Sequence, residues 1–356
     1  MSILTLDGAH GEGGGQILRT ALSLATVTGR AFRLTDIRAG RRNPGLLPQH
    51  LSAVRAAAAI SEAAVAGDRL ASSELEFAPG RPPKPGAYVF DVAETAGRGS
   101  AGSVSLILQT LLVPLALADG ASSLVLRGGT HVEWSPPFDH LTGAYFPLLR
   151  RMGFTVEAEL RRWGFYPVGG GEIACAIAGG LALRGGARPK PIELGERGPL
   201  RRIAGRAIAA NLPAHIPQRM ADRARASLAD LGVPVQIDPL RVTAMGPGAG
   251  LFLFAEYQEL AASFSAYGRL GKPSETVADE ATAALREHHA AGAAVELHLA
   301  DQLLLPMALA DGVSSFTTPR PASHLMTNAW TIGQFGIADI SIEAGPPCRV
   351  RVEPRG

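Results

Sequence analysis

The chain of 356 residues is poor in cysteine, in lysine and in net charge. Its two cysteines, Cys175 and Cys348, are too few for a disulfide framework or a cysteine metal site. A reducing cytoplasm fits them. Lys84, Lys190 and Lys272 are the only lysines, and arginine supplies the other cations. Lysine chemistry therefore has few candidates, whereas bidentate arginine clamps have many. A formal net charge of +2 excludes a protein that coats nucleic acid by bulk electrostatics, so any polyanion must meet a local cluster. No apolar run reaches the roughly 18 residues needed to span a bilayer. Met1 to Asp7 reads as a strand, not an export leader. No membrane partner is expected, and a cytoplasmic location is. The chain also lacks Gly-Lys-Ser/Thr, His-Glu-x-x-His and Lys-x-Asp-Gly, which excludes a Walker loop, a zincin helix and a lysine-nucleophile ligase motif. Composition is otherwise that of a globular protein, 46% hydrophobic and 19% charged.

What the chain does have is repetition. Pro114 to Ser123 returns nearly unchanged as Pro306 to Ser315, and Gln16 to Gly29 is a fainter copy. Such self-similarity marks a duplicated structural unit. Each copy is followed by a second helical segment near a His-Leu pair: His50-Leu51, His140-Leu141 and His324-Leu325. Three equivalent histidines follow, and the chemistry must choose among them. Periodicity predicts strand, helix, strand, helix, strand, strand in each unit. In the first unit the helices are Gln16 to Thr28 and Pro48 to Ala66. In the second they are Val104 to Ala118 and Phe138 to Met152. In the third, a strand Val295 to Leu299 precedes helices Gln302 to Ala310 and Leu325 to Gln334. One sheet face would carry the helices, and the other would be buried against the sister units.

A stretch from about Leu183 to Glu275 breaks this pattern. Gly185-Gly186 and Gly271-Lys272-Pro273 border it, and its strands flank one amphipathic helix, Pro217 to Gly232. The expected organisation is α/β (α+β), with a body of residues 1–183 and 277–356 and a small inserted α/β domain at 184–276.

Chemistry concentrates in a few segments. Gly8 to Gly15 is a glycine-rich turn before a helix, where backbone N–H groups and the helix dipole favour an anion. A plain tight turn explains the glycines equally well. Glu12 is the odd residue there, because a carboxylate repels phosphate unless a divalent cation lies between them. Arg38 to Arg42 is the densest basic loop, with Gln49 and His50 following. It could clamp phosphate or simply be solvated. Gly97 to Ser103 is a second Gly/Ser turn before a helix. In the third unit Asp301-Gln302 replaces glycine at that point. His324, beside Ser323 and Asn328 at a helix start, can be held neutral by the dipole and act as a nucleophile. Packing is the plain alternative. Asp139 and His140, with Glu133 and Trp134, suggest an acid/base pair but match no ligand spacing. His288-His289 read as surface.

Taken together and in order, these segments resemble the RNA 3′-terminal phosphate cyclase family over essentially the whole chain. The resemblance rests on Leu6-Asp7-Gly8 with Gly11 to Arg19, Ile37 to Arg41 with Pro44-Gly45-Leu46, and Gly128-Gly129-Thr130 with Pro136-Pro137. It rests equally on Gly164 to Pro167 with Gly169 to Gly171, Leu299 to Gln302, and Ser323-His324-Leu325 with Thr327-Asn328. It implies three βαβαββ units like the C-terminal domain of translation initiation factor 3, plus a small insert. It also implies a ligase-class reaction using ATP and a divalent metal, Mg²⁺ or Mn²⁺. A histidine Nε2 takes AMP, passes it to an RNA 3′-phosphate, and the 2′-hydroxyl closes a 2′,3′-cyclic phosphate. The resemblance places the nucleophile at His324 and nucleotide binding at Gln109, His298, Leu299, Ala300, Asp301 and Gln302. It places phosphate and RNA handling at Arg19, Arg38, Arg41 and Gln49, and the metal-linked acid at Glu12. His298 stands where bacterial relatives often carry Tyr. Ser265 stands where a stacking ring from the insert aligns, with Phe264 beside it.

The alternative class is the cyclase-like branch that serves ribosome biogenesis without adenylation. That branch lacks the histidine found here at 324. Enolpyruvyl transferases, built on related repeats, should keep a lysine-rich anion site, which this chain does not have. RNA with a 3′-phosphate end is the expected partner. A homodimer is allowed by the sequence, not read from it.

Overall fold

The computed structural model describes residues 3–96, 100–183 and 186–355. Gly97 to Gly99 of the second glycine-rich turn, and Gly185, lie outside the described residues. The first unit is β1 (Leu4–Asp7), α1 (Gly15–Thr28), β2 (Phe32–Thr35), α2 (Pro48–Ser61), β3 (Ala64–Ala66) and β4 (Leu75–Ala78). The second is β5 (Ala87–Asp91), α3 (Val92–Ala96), α4 (Val104–Ala116), β6 (Ser122–Gly128), α5 (Phe138–His140), a π turn at Leu141–Tyr145, α6 (Phe146–Arg151), β7 (Val156–Arg162) and β8 (Gly171–Ile177). Then come β9 (Glu193–Leu194), β10 (Leu200–Ala210), α7 (His215–Leu228), β11 (Val235–Val242), β12 (Gly248–Tyr257), β13 (Ala261–Tyr267) and α8 (Ser274–Ala291). The chain ends with α9 (Leu297–Ala308), β14 (Ser314–Thr318), α10 (Ser323–Phe335), β15 (Ala338–Glu343) and β16 (Cys348–Pro354).

The architecture is mixed α/β, with four-stranded sheets ordered β1-β2-β4-β3, β5-β6-β8-β7, β15-β16-β14-β9 and β11-β10-β12-β13. In the first three, a parallel pair (β1/β2, β5/β6, β9/β14) is extended by two antiparallel strands. The parallel partner of β14 is β9, which lies inside the stretch expected as an insert, so the first residues of that stretch belong to the third sheet. The rest of the stretch, from β10 on, interrupts the third sheet's chain segment between β9 and β14. The expected strand Val295 to Leu299 is corrected accordingly. Glu296 caps α9 there, its carboxylate accepting the His298 N–H at 2.8 Å.

Two further expectations change. The second helix stops at Ser61, with Glu62 left-handed (φ 49°), and β3 takes the residues beyond. The sheets do not bury their second faces against one another. Residues of β4, β7 and β16 alternate between buried and exposed, so those faces meet water. The shared interior is helical instead: α1 packs on α4, α2 and α10, and α9 packs on α10. The apolar runs of α4 and α9, buried nearly all round, suit that place.

A second core lies under the sheet β11-β10-β12-β13, formed with Met220 and Leu228 of α7 and Val277 and Leu285 of α8. A boundary at 276 cuts α8 two residues past its start. His288, read as surface, is in fact buried in this region at 3% exposure. Phe165, Ile208, Ala210 and Phe252 make a small third core between insert and body. Among the described residues no helix is long and apolar enough to cross a membrane.

Candidate active site

The glycine-rich turn brings Glu12 to the start of α10. Gly11 takes φ 58°, and a Cβ there would sit 2.6 Å from Thr327 Oγ1. Only glycine allows both the left-handed backbone and the close approach. The Glu12 N–H points to Thr327 Oγ1 at 3.4 Å. Its carboxylate is gripped on both oxygens. Arg41 donates to Oε1, and Ser323 Oγ donates to Oε2 at 3.0 Å. His324 Nε2 lies 2.8 Å from Oε2. Burial would raise this carboxyl's pKa, but Arg41, His324 and Ser323 together bring it below the ordinary carboxylate range. Neither α1 nor α10 has a side-chain cap. Two helix N-termini with unclaimed backbone donors thus flank one carboxylate.

The three equivalent histidines have three different surroundings. His50 is buried, and its Nδ1 accepts the Leu47 N–H at 3.1 Å. Its Nε2 lies 2.3 Å from the Cβ that a side chain at Gly15 would place. Burial, with Arg19 and Arg38 nearby, pushes its pKa down to about 3. His140 is buried and held at both nitrogens, by Ser263 and Gln302. His324 alone is open, its side chain 49% exposed. Burial lowers its pKa despite the upward pull of Glu12, so the imidazole is neutral near neutral pH.

A polar cleft between α1, α4, α9 and α10 is lined by Gln16, Arg19, Gln109, Asp301, Gln302 and Asn328. Gln16 donates to Asp301, and Thr20 Oγ1 donates to Asn328 Oδ1 at 2.6 Å. Asn328 Nδ2 donates to the Asp301 carbonyl at 2.6 Å. Burial raises Asp301 to about 7, against the pull of His298 and Arg19. Burial lowers Arg19 to about 10, with Asp301 opposing. A carboxyl poised near neutrality beside a guanidinium is the kind of perturbed pair that collects at functional sites.

Not every residue singled out from the sequence offers a side chain here. Leu299 and Ala300 are at most 1% exposed and belong to the main core. His298 is exposed at the start of α9. Arg38, at φ 55°, braces its own loop by donating to the Asn43 and Gly45 carbonyls. Arg41 is the loop's member that reaches the cluster. Gln49 Oε1 accepts the Ser103 N–H at 3.2 Å. Phe264 turns into the insert's core beside His288, while Ser265 is exposed. Asp139 does not pair with His140. It is 1% exposed, accepts from His131 Nε2 at 2.7 Å and pairs with Arg206 of the insert. Burial, opposed by those two partners, leaves its pKa lowered, which suits a structural tie between insert and body.

Sequence reasoning named Ser323 and Asn328 only as neighbours of His324, and gave no role to Thr327 or Ser263. Thr327 was visible as a further polar residue at the same helix start. Ser263 carried no signal, because its partner is 123 residues away. Among the described residues no group of three His, Cys, Asp or Glu could hold a metal ion. One ionised carboxylate fits a cation that arrives with phosphates and water, as Mg²⁺ sites often do, better than a resident ion.

Residues 10–342 match the family model described as RNA 3′-terminal phosphate cyclase. The RNA 3′-terminal phosphate cyclase of Methylococcus capsulatus is 52% identical, covering 96% of this chain and 93% of the relative. The corresponding protein of Gloeothece citriformis is 50% identical over 96% of this chain and 95% of its own length. That of Salmonella enteritidis is 42% identical, with 96% of each chain covered. The chain belongs to the RNA 3′-terminal phosphate cyclase family.

Proposed function

We propose that this chain is an ATP-dependent RNA 3′-terminal phosphate cyclase that works through AMP bound to His324. The observation that carries this reading is the place of His324. It is the one open histidine of the three, it touches the carboxylate that anchors the basic loop, and Arg19 of the polar cleft is close enough to lower its pKa. In the first step His324 Nε2 attacks the α-phosphorus of ATP. A P–N bond forms, the P–O bond to pyrophosphate breaks, and pyrophosphate leaves. An oxygen of the RNA 3′-phosphate then takes the AMP as the P–N bond breaks. Finally the 2′-hydroxyl attacks the 3′-phosphorus, releasing AMP and a proton. That hydroxyl already lies beside its target in the RNA, so the last step gains from proximity.

The chain's own part follows from its contacts. Attack needs the Nε2 lone pair, yet here Nε2 faces Glu12 at 2.8 Å. The reactive tautomer carries its proton on Nδ1, and Glu12 must release Nε2 to form it. Arg19 and Arg41 would offset the charge of two phosphates brought together, and Gln109, Asp301 and Gln302 would seat the nucleotide. Glu12 would be the chain's ligand to a divalent cation, which when bound would polarise the phosphates and neutralise part of their charge. The cluster comes from one chain, so a homodimer is not required. A cytoplasmic location goes with RNA as substrate. The insert, as we divide the chain, is the part with its own core, from about residue 196 to about 292.

Incubation with α-labelled ATP and a divalent cation, followed by denaturing electrophoresis, tests the reading. Label from the α-phosphate, and none from the γ-phosphate, should stay on the protein, acid-labile and stable to base. His324→Ala should abolish it. Full labelling of that variant ends the assignment, and no labelling of a folded wild-type chain favours the non-catalytic branch.

A further inference from the structure

His140 is buried at 5% exposure, yet its two nitrogens join distant parts of the chain. Nδ1 lies 2.6 Å from Ser263 Oγ on β13 of the insert. Nε2 lies 3.1 Å from Gln302 Oε1 on α9 of the body. The proton positions follow from the partners. Gln302 Oε1 also accepts from Gln109 Nε2 at 2.7 Å, while Gln302 Nε2 donates to the His298 carbonyl at 2.7 Å. An amide oxygen only accepts, so His140 carries its proton on Nε2. Nδ1 must then accept from the Ser263 hydroxyl. The other tautomer would set two lone pairs face to face. A flipped Gln302 amide would set its NH₂ against the donors of His140 and Gln109. Burial keeps the ring neutral, as this arrangement requires.

The surrounding backbone is built around this contact. The helix passes into a π turn directly after His140, a distortion that concentrates at functional positions. Within it Gly143 gives way to the Phe254 ring, which would lie 2.3 Å from a Cβ there. Phe254 is the cross-strand partner of Ser263. Tyr145 OH reaches the Gln302 carbonyl at 3.5 Å.

We infer that His140 is a positioning residue: with Ser263 of the insert it holds the Gln302 amide one way round and so sets which purine base the cleft accepts. The inference rests on reading Gln109 and Gln302 as nucleotide-binding. With Gln302 Oε1 filled twice, among the described residues the pair has one N–H of each amide and the oxygen of Gln109 left for a ligand. Adenine's pairing edge carries an amino donor beside a ring acceptor, and guanine's carries the reverse. A fixed amide pair distinguishes them, whereas a pair free to flip accepts either.

The test is equilibrium binding of the α,β-methylene analogues of ATP and GTP, which cannot transfer AMP, to the full chain with a divalent cation. Wild type should prefer the adenine analogue. In His140→Phe, which keeps the ring volume, and in Ser263→Ala, the preference should fall by about fivefold or more. The double variant should be no worse than the weaker single, because both act through one relay. His140→Gln, which restores a donor, should recover most of the preference. An unchanged preference in either folded single variant overturns the inference, as do single effects that multiply in the double. If His140→Phe fails to fold, Ser263→Ala, which removes one oxygen, decides alone. A wild type that binds neither analogue defeats the nucleotide reading of the cleft, and the relay with it, before any variant is compared.

Discussion

His50→Gln separates the role of the first histidine from that of the third. His50 is 3% exposed and accepts the Leu47 N–H at the start of α2. Glutamine at this third helical position can accept the same N–H, as in a capping box. The variant thus keeps a cap whose loss would cost roughly 1 kcal/mol, but it cannot titrate. Burial and the nearby arginines bring the folded-state pKa of His50 from 6.5 to about 3. Above pH 6.5 both folded and unfolded states are neutral here, and the shift costs nothing. As pH falls below 6.5 the unfolded state takes a proton that the folded state refuses, and stability is lost down to about pH 3. Each pH unit in that window removes about 1.4 kcal/mol. Between about pH 7 and about pH 5 the wild type should therefore lose roughly 2 kcal/mol that the variant keeps. Urea unfolding at both pH values, followed by circular dichroism and tryptophan fluorescence, reads the difference. Other titrating groups, His288 among them, cancel because both proteins carry them. Parallel pH dependences in the two proteins would refute the argument. The variant should also still take the α-phosphate label, since the nucleophile is elsewhere.

The remaining predictions concern the cluster at α10. Glu12→Ala should weaken labelling and raise the cation concentration needed for half-maximal labelling; an unchanged titration would make Glu12 a turn residue only. Burial lowers the His324 pKa while Glu12 raises it, so Glu12→Gln should move the acid limb of the labelling profile further to acid. A move toward alkaline pH would contradict that sign. Arg41→Ala should slow cyclisation of a 3′-phosphate RNA about tenfold or more, the effect of losing a charge-assisted contact of roughly 1.5–3 kcal/mol, where a solvated arginine would cost almost nothing. RNA ending in a 2′-deoxynucleotide 3′-phosphate should accumulate as RNA-adenylate, and failure to form it while the ribo substrate cyclises would overturn the three-step order.

Much of the molecule was legible in the chain because its signals are local. The repeat of Pro114 to Ser123 at Pro306 to Ser315 marked the equivalent helix ends of α4 and α9. The glycine-rich turn singled out Glu12, the basic loop stood out as a group of arginines, and the family resemblance picked Arg41 and His324 before any contact was visible. Composition and spacing could not decide which of the equivalent histidines is free. That depends on what packs around each ring: Gly15 and the Leu47 N–H at His50, Ser263 and Gln302 at His140, solvent and Glu12 at His324. The burial of His288 was hidden for the same reason, since a His-His pair on a polar helix looks solvated until a sheet covers it. So was the interruption of the third sheet, where two residues of β9 pair with β14 more than a hundred residues later. Local preference follows from a few neighbouring side chains and can be read along the chain. Burial, tautomer and pairing depend on groups brought together from distant segments, and only the tertiary structure supplied those.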